Sequence, residues 1–150
     1  MAEEEDPLYR RGILRLAANA AGAGHLPHPD ASATAHNPAC GDRVTVELTL
    51  ESDRISALGH TTQACILTQA SAALLASKAP GRAQADLKVL AETVRAFLAG
   101  GPAPEGYEVF DGVTGHAGRH ICVLLPLQAA LKALEGTQPG TVGAEDEAGS

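Results

Sequence analysis

Three cysteines and one aspartate carry most of the chemistry open to this 150-residue chain. Cys40 lies in the run Asn37-Pro38-Ala39-Cys40-Gly41-Asp42, and the others follow at intervals of 25 and 57 residues, as Cys65 and Cys122. Each falls at the end of a patterned segment, where loops can converge. Cys65 and Cys122 fall near helix starts, where exposed N–H groups and the helix dipole favour a thiolate. A thiolate is the form that binds Zn²⁺ or iron and the form that attacks a persulfide. Asp42 follows Cys40 by two residues, across a turn containing Gly41, so its carboxylate can share the same site. Three thiolates and one carboxylate would complete a tetrahedral Zn²⁺ shell or hold an iron–sulfur cluster. Free cysteine is also among the most often buried residue types. There is no Cys-x-x-Cys pair, so the residue types alone leave ligand, nucleophile and inert packing all open.

The elements that must position these side chains can be read from periodicity. Pro7 can open a first helix, with Leu8, Ile13, Leu14, Leu16, Ala17 and Ala20 as its apolar positions, ending near Ala21-Gly22-Ala23-Gly24. Residues 25–39 mix His, Pro, Asp, Ser and Thr with small side chains and read as an extended loop. Arg43 to Leu50 alternates strictly, with Val44, Val46, Leu48 and Leu50 on one face. Glu51-Ser52-Asp53-Arg54 is a turn and Ile55 to Thr62 a second strand, which predicts a hairpin. Helices are expected over Cys65–Lys78, Ala83–Leu98 and from about Arg119–Cys122 to Leu134, with Pro126 in the first turn or so of the last. Residues 99–118, rich in Gly and Pro, read as a long connection of a functional or mobile kind. The order of elements predicts an α+β fold: a small antiparallel sheet packed against several helices. Residues 1–135 are expected to form one domain and residues 136–150 a disordered acidic tail.

Composition excludes whole classes of partner. Eleven basic residues against 18 acidic give a net charge of −7, and aromatics make up 3%. Neither the counterion release that drives duplex binding nor the stacking that holds single strands is available, so no nucleic-acid partner is expected. No apolar run approaches the roughly 18–20 residues of a membrane span. The acidic start, Met1-Ala2-Glu3-Glu4-Glu5-Asp6, lacks the basic region of a secretory signal, so a reducing cytoplasm is the expected compartment.

Asn37-Pro38-Ala39-Cys40-Gly41-Asp42 resembles the Asn-Pro-x-Cys-Gly-Asp signature of the U-type iron–sulfur cluster assembly scaffolds (IscU, the NifU N-terminal domain and SufU). Cys65-Ile66-Leu67-Thr68-Gln69-Ala70-Ser71-Ala72 is similar to the family's cysteine-opened, Ala- and Ser-rich helix. Arg119-His120-Ile121-Cys122 resembles its last motif, a basic residue shortly before a cysteine, and Leu8-Tyr9 through Gly24-His25 is similar to its leader helix and following loop. The likeness covers about residues 7–135 in unbroken order. It implies an IscU/NifU-like fold and a Cys40, Asp42, Cys65 and Cys122 site for Zn²⁺, iron or a transient [2Fe–2S] cluster. It also implies that Cys122 and Cys40 accept sulfur, with Arg119 as a nearby cation that stabilises thiolates or pairs with Asp42. The implied partners are a cysteine desulfurase, which supplies persulfide sulfur, and recipient apoproteins.

The sequence departs from the IscU branch at Ile121, where that branch carries histidine, and it lacks that branch's Leu-Pro-Pro-Val-Lys segment before Cys122. The long interval from Cys65 to Cys122, together with Arg119, resembles the SufU branch. Three readings therefore stand: a non-enzymatic scaffold, a SufU-like zinc-dependent sulfurtransferase, and a structural zinc module. Other residues offer less. Six histidines, His25, His28, His36, His60, His116 and His120, invite a metal reading, of which His25 and His28 read as exposed loop residues. Ser71 has no Gly-x-Ser-x-Gly context of a hydrolase nucleophile. Gly100-Gly101 and Gly112 make no phosphate-binding loop.

Overall fold

The computed structural model describes residues 11–39 and 41–136. Helix α1 spans Arg11–Asn19 and is followed by three strands, β1 Ala31–Asn37, β2 Asp42–Glu51 and β3 Arg54–Gln63. Helices α2 Ile66–Lys78, α3 Gln84–Leu98 and α4 His120–Glu135 complete the chain's main elements. The strands form one antiparallel sheet in the order β1-β2-β3. Val44, Val46 and Leu48 of β2 are fully buried, as their alternation predicts. The β2–β3 turn places Ser52 and Asp53 at φ 52° and 70°, the left-handed pair that matches the twist of a tight hairpin. Helix α4 packs across β1 and β2, while α2 packs against α1, α4 and β3. The result is an α+β fold with a single core between the sheet and its helices.

Two expectations fail here for physical reasons. Residues 31–37 are a strand, not loop. β1 pairs along its length with β2, Ala31, Ala33 and Ala35 lying opposite Leu48, Val46 and Val44. Its core-facing positions are alanines because α4 crosses that part of the sheet and leaves no room for larger side chains. On its other face Thr34 Oγ1 hydrogen-bonds Thr45 Oγ1 at 2.8 Å. Residues 99–118 are not a free connection either. A 3₁₀ helix over Tyr107–Val113 buries Tyr107, Phe110 and Val113 completely. Those rings supply bulk that an alanine-rich core lacks, and they meet at 6.0 Å between centroids.

Smaller differences bear on the site. Pro126 is the seventh residue of α4, in the helix interior, not its first turn. Its ring removes the N–H that would otherwise bond the Cys122 carbonyl. Pro7 and all but Gly136 of the acidic tail lie outside the described residues. In α1 only Ile13 is fully buried, and Leu14 is exposed. The segment after α1 adds a short rung to β3: the His60 N–H bonds the Gly22 carbonyl at 2.9 Å, and the Gly24 N–H bonds the His60 carbonyl at 2.8 Å. Gly22 has φ 76°, and a Cβ there would stand 2.5 Å from that of Ala76, so only glycine fits this corner. The following loop is tied to the outer face of the sheet through Glu47, which accepts the Leu26 N–H at 2.8 Å and meets the His25 ring at 3.0 Å.

Candidate metal and sulfur site

The Asn-Pro-Ala-Cys-Gly-Asp run is the β1–β2 connection. Asn37 and Asp42 pair across its base. The Gly41 N–H bonds the Asn37 carbonyl at 2.8 Å, and the Asn37 side chain accepts the Ala39 N–H at 3.1 Å. Gly41 sits at φ 76°, a conformation that disfavours other residues. Asparagine and glycine are thus needed to close this loop, and the turn delivers Asp42 as the first residue of β2, buried at 8% exposure. Cys40 itself lies outside the described residues.

Cys65 and Cys122 arrive from helix starts, as their positions predict. Cys65 is the N-cap of α2, reached directly from β3, and Cys122 is the third residue of α4. Packing of α2 against α4 brings the two together beside Asp42. One carboxylate oxygen of Asp42 and the sulfurs of Cys65 and Cys122 all lie within 4.8 Å of one another. The site is sunk below the surface: Cys122 is buried, and Cys65 is half-buried.

The electrostatics of the sulfur pair are those of two groups sharing one proton. The Cys65 thiol is held well below its ordinary pKa, first by a hydrogen bond from Cys122, against the opposing effect of burial. The N–H groups of Leu67 and Thr68 and the Thr68 hydroxyl, 3.6 Å from the Cys65 sulfur, add to the lowering. The Cys122 thiol is pushed up, first by its hydrogen bond to Cys65 and then by burial. Arg119 opposes that rise; its Nη1 donates toward the Cys122 sulfur at 3.9 Å. The first proton leaves easily and the second with difficulty, so a bound cation is what would keep both sulfurs anionic.

The residues present fit a metal or cluster on an observation independent of resemblance. Oδ2 of Asp42 is buried and has no hydrogen-bond partner among the described residues. A buried carboxylate oxygen without a donor is costly, and a cation held between it and the two sulfurs would satisfy it. Soft sulfur with hard oxygen is a donor set that both Zn²⁺ and iron accept.

The histidines stand apart from this cluster. His120 Nε2 bonds the Thr114 carbonyl at 3.0 Å. His60 is buried and bonds the Ala21 carbonyl and the Thr62 hydroxyl, each at 2.9 Å, with its pKa lowered by burial. His25 is exposed and serves the loop contact with Glu47. Sequence reasoning missed Thr68, buried beside the Cys65 sulfur, and it weighed Ser71 only as a nucleophile. Both lie on the face of α2 that follows Cys65 at steps of three residues, and that spacing was the available signal.

Residues 8–112 match the model of the NifU-like N terminal domain family. The chain belongs to that family. Its fold is shared with the crystal structure of a nitrogen-fixing NifU-like protein (N-terminal) from Brucella abortus, at 32% identity and a TM-score of 0.81, over 89% of this chain and 98% of that one. A protein from Fervidobacterium islandicum, proposed there as an iron–sulfur cluster assembly scaffold for the SUF system, has 20% identity and a TM-score of 0.76, over 85% of this chain and 96% of that one. At that identity the likeness is one of fold. No curated protein matches the chain. Among the described residues no helix is long and apolar enough to cross a membrane.

Proposed function

We propose that this NifU-like chain is a cytoplasmic iron–sulfur cluster assembly scaffold, whose residues 1–135 form the working domain. It accepts persulfide sulfur from a cysteine desulfurase, binds iron or a [2Fe–2S] unit at Cys40, Asp42, Cys65 and Cys122, and passes it to recipient apoproteins. The observation that carries this reading is the meeting of Asp42, Cys65 and Cys122 within 4.8 Å, with a buried carboxylate oxygen that has no partner among the described residues.

The chain's own residues divide the work. Cys122 and Cys40 are the sulfur acceptors, as the resemblance implies, and Cys65, the more exposed of the described pair with its thiol pKa lowered, shares the ligand set. The acceptor's sulfur attacks the outer sulfur of the desulfurase persulfide. A new S–S bond forms as the old one breaks, and the electron pair leaves on the desulfurase thiolate. Arg119 sits against the Cys122 sulfur and favours its anionic form. Asp42 is the hard, exchangeable ligand through which the cargo can be released.

A second reading is a zinc-dependent sulfurtransferase that keeps Zn²⁺ and carries no cluster. It is favoured by Arg119, whose Nη1 points to the Cys122 sulfur at 3.9 Å and favours the anionic form that a retained metal needs. Anaerobic reconstitution with iron, cysteine and a desulfurase decides between them. Cluster absorbance, lost on Cys65→Ala or Cys122→Ala, supports the scaffold. Retained Zn²⁺ with faster desulfurase turnover supports the transferase. Unfolding on chelation, with neither activity, would reduce the site to a structural zinc module.

A further inference from the structure

Asp42, His60, Thr68 and Ser71 are the buried residues with strongly polar side chains among those described. Asp42 and Thr68 belong to the site and His60 to the α1–β3 corner, which leaves Ser71 without an assigned role. Ser71 is fully buried in α2, and its hydroxyl donates to the carbonyl of Val123 at 2.6 Å. Val123 follows Cys122 directly. The bond therefore joins the helix that begins at Cys65 to the backbone of the turn that carries Cys122.

The same turn is tied to the segment before it: the His120 N–H bonds the Ala117 carbonyl, the His120 ring bonds the Thr114 carbonyl at 3.0 Å, and Arg119 Nη1 points to the Cys122 sulfur at 3.9 Å. Pro126 withholds the N–H that would tie the Cys122 carbonyl to the second turn. The ties of His120 and Arg119 are local to the start of α4, whereas the Ser71 bond holds its backbone to α2, and a metal site tolerates little movement in its ligands. We propose that Ser71 is a positioning residue: by holding the first turn of α4 against α2 it fixes the separation of the Cys65 and Cys122 sulfurs and keeps Cys122 out of solvent. The consequence for ligand binding rests on the function proposed above; the consequence for Cys122 does not.

The test uses the full chain with Ser71→Ala, Ser71→Thr and Val94→Ala, the last being a fully buried α3 residue whose truncation loosens the core generally. In metal-free, reduced protein, iodoacetamide labelling is followed separately at Cys65 and Cys122 by mass spectrometry. Ser71→Ala should raise the Cys122 rate about tenfold with much less change at Cys65, and Ser71→Thr, which keeps the hydroxyl, should restore it. Zinc affinity, measured against a chromophoric chelator, should fall about tenfold or more in Ser71→Ala and return in Ser71→Thr. Unchanged Cys122 labelling in Ser71→Ala overturns the proposal. So does a parallel rise at both cysteines that Val94→Ala reproduces. If the wild-type chain holds no zinc or iron through its cysteines, the proposed site fails while the labelling pattern still decides the role of Ser71.

Discussion

On the proposed function Asp42 is held at a cost to the fold, and that cost can be measured. Its Oδ2 is buried and has no partner among the described residues. An unsatisfied buried acceptor costs about 1–3 kcal/mol, more when charged. Asp42→Ala removes that atom and gives up little packing, since the side chain faces the ligand cluster and not the hydrophobic core. The metal-free variant should therefore be more stable than its parent by about 1–2 kcal/mol. For a domain of this size that raises Tm by about 2–8 °C. Both proteins should carry Cys40→Ala, so that a thiol at position 40 cannot donate to the carboxylate. The assay is calorimetric or circular-dichroism melting in chelator and reductant, with urea unfolding as a check that the m-value is unchanged. A variant that melts at or below the temperature of its parent would refute the reasoning. It would mean that the carboxylate is satisfied in the metal-free protein, and the main argument for a cation at the site would go with it.

Other outcomes follow from the same geometry. In metal-free Cys40→Ala protein, Cys65 should react with iodoacetamide at close to its full rate at pH 7, well below the ordinary thiol pKa of about 8.5, because Cys122 donates to its sulfur. Adding Cys122→Ala should shift that profile upward, and a Cys65 rate that climbs only above about pH 8 in the parent would contradict the shared-proton account. His60 is buried, with a pKa lowered by burial, so the unfolded chain binds its proton more readily. Its contribution to stability should be complete above the unfolded value of about 6.5 and fade as pH falls below it. A His60→Gln variant should flatten that part of the stability profile, and an unaltered slope would remove His60 as its source. Truncation after Leu134 should leave zinc affinity unchanged, and a loss above about fivefold would show that the acidic tail takes part in binding.

The sequence made some elements plain because local pattern and tertiary environment agree in them. β2 alternates as a strand with one buried face must, and Cys65 falls where a strand pattern changes to a helical one. β1 was hidden because its environment overrides its propensity. Alanines at 31, 33 and 35 carry no β signal, and they are there to admit α4, whose position no local window reports. The connection at 99–118 was misjudged for the reverse reason. Its glycines and prolines mark turns correctly, but Tyr107 and Phe110 between them fill the core. At the site, the residue types were legible and the convergence was not. That two helix starts and a hairpin base meet within 4.8 Å depends on how α2 packs against α4 and how both pack on the sheet.

Several features that weaken a metal-free fold meet at this convergence. The Asp42 oxygen without a partner among the described residues, the two sulfurs competing for one proton and the interior proline of α4 are each unfavourable for a metal-free domain. A chain shaped only for stability would replace the carboxylate with an apolar side chain and let α4 run unbroken. Their coincidence around one small volume is therefore better explained by a cargo than by packing, since a cation would satisfy the oxygen and both sulfurs at once. On the proposed function a cargo that must leave would do so through the groups that face it, with the Asp42 carboxylate as the hard, exchangeable ligand, because the first turn of α4 is itself part of the core: Cys122 and Val123 are 2% and 0% exposed.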